Sequence, residues 1–196
     1  MSDLVTNPDR RALIQSATGL ALARLAVGRP FAPDVERAAR PLPGRVPPGK
    51  PGEFDFLAGN WRIAHRWRKP SGEWDEFAGE ATCWTILGGI GSVEELRIPA
   101  RDFNGMGLRL LDVEKKIWSD FWVNAKSGVL TTPGTTGGFE NGVGTFTSEE
   151  QDGDKPMMVR GVWDRITGQS HRWHQAVSHD GGKTWQETWL MDWTKA

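Results

Sequence analysis

The spacing of the tryptophans constrains this chain more than any other feature. There are eleven of them and no tyrosine in 196 residues, and none precedes Trp61. Many are an even number of residues apart: Trp61 and Trp67, Trp118 and Trp122, then Trp185, Trp189 and Trp193. Side chains on a strand alternate between faces, so even spacing puts both rings on one face. A sheet that collects indoles on one face builds an aromatic interior. Closed into a barrel, it either fills itself or encloses a flat apolar molecule.

The rest of the chain agrees with strands. Trp61 to Arg68 alternates Trp, Ile, His and Trp with Arg and Ala, so His65 points inward with Trp61 and Trp67. Lys69-Pro70-Ser71-Gly72 is a turn. Strand-like runs follow at 74–77, 79–87, 93–98, 107–113, 118–124, 129–132, 138–140, 142–148, 157–165, 169–178 and 184–193. Short strands with no helix between them predict an all-β, antiparallel up-and-down barrel of about ten strands. Closure also removes the edge strands that would otherwise pair with other chains.

Prolines crowd between Pro30 and Pro51, which predicts an extended linker. The expected division is therefore an N-terminal extension over 1–52 and a barrel over 53–196. Residues 9–26 admit two readings. Arg10-Arg11 followed by an apolar stretch resembles a twin-arginine export signal, which would send the protein to the periplasm. Arg24 interrupts that stretch and no clean cleavage site follows. An amphipathic helix retained in a cytoplasmic protein, with Leu13, Ile14, Ala17, Leu20, Ala21 and Leu25 on one stripe, is slightly preferred. Such a helix would cap a barrel end or reach a neighbouring subunit, so a homo-oligomer is among the expected partners. The run is too short and too charged for a membrane span.

Net charge is −1, and the one basic cluster, His65 to Lys69, is short. Nucleic acid is not an expected partner, because phosphate contacts need clustered Lys and Arg. The single cysteine, Cys83, excludes an internal disulfide and reads as a buried, inert thiol. Ser178 to Trp185 fits the S-x-D-x-G-x-T-W pattern of an Asp-box, a structural hairpin in which the Trp packs beneath the turn.

Five segments in order carry a resemblance. They are Phe54 to Trp61, Leu87 to Glu95, Leu108 to Asp112, Trp118-Ser119-Asp120-Phe121-Trp122, and Ser178 to Thr194. Together they resemble a bacterial family of unknown function with a calycin-like barrel, similar to lipocalins and fatty-acid-binding proteins. The resemblance covers about residues 54–194 and implies a fold rather than an activity. It also marks two departures. The centre of the Trp-Ser-x-x-Trp run is usually apolar and is Asp120 here; the position after Trp173 is more often acidic and is His174 here. Haem-binding barrels of similar architecture open on Gly-x-Trp-x-Gly-x-Gly. Here Arg62, Ile63 and Ala64 follow Trp61, so haem is not expected and no other cofactor is implied.

The candidate site is the lumen. Asp120 shares a face with Trp118 and Trp122, where loss of water would raise a carboxylate's pKa and fit it for acid–base work. His65 and His174 are the candidate partners. Trp61, Trp67, Trp118, Trp122 and Trp189 are expected to line a ligand. Arg109 would suit a carboxylate or phenolate, as in fatty-acid-binding barrels. Glu94 and Glu95 occupy opposite faces. Glu95 is taken as the ligand residue, although a same-face ion pair with Arg97 competes with that role. His171, His174 and His179 do not converge, since two lie on opposite faces and one in a turn, so no metal site is expected. The expected function is binding of a small apolar or aromatic molecule. The alternative is a cofactor-independent enzyme of isomerase, cyclase, hydratase or lyase type, with Asp120 and a histidine as acid and base.

Overall fold

The computed structural model describes residues 45–196, so the helix and export-signal readings of residues 9–26 lie outside the described residues. Ten strands follow in order: β1 (Gly59–Arg68), β2 (Trp74–Ile86), β3 (Gly91–Ile98), β4 (Phe103–Asp112), β5 (Ile117–Asn124), β6 (Thr135–Glu140), β7 (Val143–Asp152), β8 (Lys155–Asp164), β9 (Ser170–Ser178) and β10 (Gln186–Lys195). Each pairs antiparallel with the next, and β1 pairs with both β2 and β10, which closes the barrel. The all-β up-and-down architecture expected from the alternation is therefore present.

The strand inventory differs from expectation in two places. The runs at 74–77 and 79–87 form one strand, β2, which continues through Ala78 and Gly79. Gly79 is a seat rather than a break: a Cβ there would come within 2.4 Å of His65 Nε2. The run at 129–132 is not a strand. It lies in the connection between β5 and β6, making an isolated bridge from Leu130 to Val123 and a hydrogen bond from Thr131 N–H to the Trp122 carbonyl. Elsewhere the turns follow their residues. Asn141-Gly142 joins β6 to β7 with φ of 51° and 77°, the positive pair that a two-residue hairpin requires.

Alternation sets the two faces. Along β1, Trp61, Ile63 and His65 are buried while Arg62, Ala64 and Arg66 are exposed. The indoles of Trp61, Trp118, Trp163, Trp189 and Trp193 are almost completely buried. Trp74 and Trp84, by contrast, sit outside and are exposed.

The barrel's ends are unlike. A 3-10 turn at Asp55–Leu57, with Phe54 before it, crosses the end where β1, β5, β7 and β9 begin. Phe54 packs edge-on against Trp118 and Phe139, both at 4.9 Å between ring centres, and against Trp163 at 6.3 Å. Phe56 meets His171 at 5.1 Å, and the Leu57 carbonyl accepts from Trp61 Nε1 at 2.6 Å. These contacts come from strands on all sides, so the turn plugs this end. At the other end β6 is short. It pairs with β5 only from Trp118 to Asp120, and with β7 only as far as Thr147. Beyond those points the ends of β5 and β7 part, and the 125–134 loop runs between them.

Candidate ligand site

The parted strands leave a cavity of about 90 Å³ at the open end. Its aromatic wall is Trp122, Phe146 and Trp173, and its inner polar groups are Asp120 and Gln175. Thr131 and Pro133 of the 125–134 loop border it, together with Thr135, Ser148 and Glu150. Drug-sized sites enclose about 300–1,000 Å³ and a water molecule takes about 30 Å³ of liquid. The cavity thus admits a compact molecule or one end of a larger one.

Glycines on β4 make the inner wall possible. A Cβ at Gly105 would overlap the Trp122 ring at 2.1 Å, and one at Gly107 would press Arg109 Nη2 at 2.9 Å. With hydrogens at both positions, Trp122 lies flat beside Phe103 and Arg109 turns into the core.

Arg109 is fully buried. Pairing of Glu94 with Gly107, and of Arg109 with Asp120, brings three ionisable residues from β3, β4 and β5 together. Arg109 Nη2 donates to Glu94 Oε2, and Nε lies 3.4 Å from Asp120 Oδ1. The guanidinium also faces Trp163 at 5.2 Å and Phe54 at 5.7 Å. Burial opposes its charge, but Glu94 and Asp120 more than offset this and hold its pKa above the ordinary arginine value. Arg109 therefore points inward, as its expected role requires, and is engaged by Glu94 and Asp120 as their counter-ion.

The other expected site residues divide. Asp120 and Trp122 line the cavity. Trp61 and Trp118 belong to the plugged end, where they pack against His171 and Phe54 and donate indole N–H bonds to Leu57 and Glu53. Trp67 is half-buried opposite Trp189 on the inner face, away from the cavity lining. His65 is inside, stacked on Phe77 at 4.8 Å, and its Nδ1 accepts from Trp189 Nε1 at 3.1 Å. An accepting Nδ1 places the ring proton on Nε2. Trp189 meets the cavity residue Trp173 edge-on at 5.9 Å, so those two indoles link His65 to the cavity.

Two expectations are corrected by orientation. Glu95 lies on the outer face, where it accepts from Arg97 Nη1 at 2.9 Å; Glu94 is the inward member of the pair. His174 is also outside the lumen. Its Nδ1 is 3.2 Å from Glu187 and its Nε2 is 3.6 Å from Asp164, which Arg172 grips with two bonds. Burial, then Arg172, lowers its pKa against the pull of the carboxylates. Cys83 is buried, and burial together with Glu94 pushes its thiol pKa up, away from reactivity.

His171 shares the inward parity of Trp173 on β9. It is buried among Trp61 at 4.4 Å, Trp193 at 4.9 Å and Trp163 at 5.6 Å. Among the described residues neither of its ring nitrogens has a hydrogen-bond partner. Burial, followed by Arg109 and Lys195, pushes its pKa down to about 3.

No protein-family model and no curated protein matches the chain. Among solved structures it is similar to the crystal structure of Rv2717c from M. tuberculosis, at 12% identity and a TM-score of 0.43, over 73% of this chain and 94% of that one.

Proposed function

We propose that this chain is a calycin-like binding barrel that holds a compact small molecule at its open end. One observation carries the reading: the short β6 leaves a cavity of about 90 Å³ walled by Trp122, Phe146 and Trp173. An apolar wall with a few fixed polar groups is the usual make-up of a small-molecule site. The ligand is smaller than the tryptophan count implies, because most of the indoles pack against one another. Acid–base catalysis needs a donor and an acceptor within reach of one bound molecule. Neither His65 nor His174 is among the described residues lining the cavity, so the pairing of Asp120 with a histidine that the enzyme reading used is not assembled there.

The reading is tested by native mass spectrometry of the purified full-length protein, with Val159→Phe as the comparison. Val159 lines the cavity, and the larger side chain fills it. The expected result is a co-purified mass on the wild type that the folded variant lacks. An equal mass on both proteins would place the ligand elsewhere and overturn the assignment.

A further inference from the structure

We infer that the outer face of β2 to β5 is a docking surface for residues 9–26 of the same chain.

The first observation is an apolar band on the outside of the barrel. The solvated face of an antiparallel sheet is ordinarily polar. Pairing instead places Trp84, Val93, Leu108 and Phe121 side by side across β2, β3, β4 and β5. Ile86, Gly91, Leu110 and Ser119 form the next row toward the plugged end. The two rows hold no charged residue, and none of their large apolar side chains is buried. Trp84 is 47% exposed, and Leu87 beyond the second row is 66% exposed. Phe121 ends the band, because Gly134 of the 125–134 loop lies against its ring. Elsewhere the outer face carries charges, such as Arg62 opposite Glu80 and Arg172 on Asp164. A contiguous apolar patch on such a surface marks an interaction site.

The second observation is where the described chain begins. The Pro47 carbonyl crosses the outer side of Gly138 on β6, within 2.6 Å of the place a Cβ would take. Gly49 N–H then donates to the Lys116 carbonyl at 2.7 Å, just before β5. The preceding chain therefore arrives at the border of β5 and β6, beside the band. Residues 27–44 reach at most about 60 Å. The band is only about 15 Å wide from β5 to β2. The third observation is the sequence of residues 9–26, which sets an apolar stripe from Leu13 to Leu25. As a helix that segment would be about 27 Å long, enough to cross all four strands. A short tether gives such a segment an effective concentration in the millimolar range. That favours the chain's own segment over a second copy.

The test uses the full-length chain with Gln15→Cys and a nitroxide spin label on the new thiol. Cys83 is buried and does not compete for the label. The indole N–H signals of Trp84 and Trp74 are compared by NMR before and after the nitroxide is reduced. Both residues face outward on β2, about 33 Å apart along the strand. The expected result is that Trp84 loses most of its intensity to the label and Trp74 keeps its own. Leu20→Asp in the labelled chain should restore the Trp84 signal. A mixture of spin-labelled chain with isotope-labelled wild type separates the two sources of the segment, and no broadening is expected there. Broadening of Trp84 in that mixture would give the surface to a second copy and overturn the inference. So would a Trp84 signal that the label leaves intact, equal loss at Trp84 and Trp74, or broadening that survives Leu20→Asp. A purified protein whose mass lacks residues 9–26 would overturn it as well.

Discussion

The plugged end and the open end are built from the same residues and behave differently. At the plugged end, Trp61, Trp118, Trp163 and Trp193 surround Phe54, Phe56 and His171, and ring meets ring. At the open end, Trp122 and Trp173 are among the residues that border the cavity. The difference lies opposite the rings: a 3-10 turn fills one end, while a six-residue β6 leaves the wall of the other unfinished. The same residue type thus fills one end and borders a cavity at the other.

The largest expected effect is at the boundary between the two regions. Arg109→Met leaves Glu94 buried without its cation and should cost about 3–5 kcal/mol in urea unfolding. Adding Glu94→Leu should recover most of it. A double variant as unstable as the single one would show that the ion pair is not the source of the loss. Next, Trp163→Ala at the plugged end should cost about 3–5 kcal/mol, as large aromatic truncations in close-packed cores do. Trp122→Ala borders existing space and should cost less, with its main effect on ligand binding. Equal stability losses at the two positions would break the comparison.

His171 supplies a pH test of the plugged end. Its pKa is 6.5 when unperturbed and about 3 in the fold. The unfolded chain therefore binds the proton first, so stability is full above 6.5 and falls as pH drops through that window toward 3. The slope approaches about 1.4 kcal/mol per pH unit. His171→Phe should flatten this acid limb, and an unchanged limb would mean that the ring is protonated in the fold. The smallest effect is expected in the hairpin between β9 and β10, whose residues are not among those lining the cavity. In the Ser178–Trp185 hairpin, the Thr184 hydroxyl and backbone, then Ser178, hold the Asp180 carboxyl well below the usual range. Asp180→Ala should lower the melting temperature slightly and leave the Trp122 and Trp173 signals unperturbed.

Much of the barrel was legible because alternation is local. The parity of Trp61, His65 and Trp67, and of Trp118, Asp120 and Trp122, placed both sets inside. What lay beyond the sequence depends on neighbours. Parity separates Glu94 from Glu95 but does not say which side is the lumen. Register decides that by bringing Glu94 beside Gly107, whose missing side chain admits the Arg109 guanidinium. The need for glycine at position 79 likewise comes from a neighbour, since His65 occupies the space a side chain there would take. The cavity itself follows from where β6 ends, and no motif in the 125–134 segment marks that point. His174 was picked out as a departure from a family pattern, and its carboxylate neighbours on β8 and β10 explain it as part of an outer-face charge cluster.

The central claim is that one end of the barrel is solid and the other binds. An NMR titration of the full-length protein with n-propanol, a compact neutral probe, tests it most directly, with every indole N–H signal followed at once. The account predicts that Trp122 and Trp173 shift together and saturate while Trp61 and Trp193 stay still. Shifts centred on Trp61 and Trp193, with Trp122 unmoved, would contradict it.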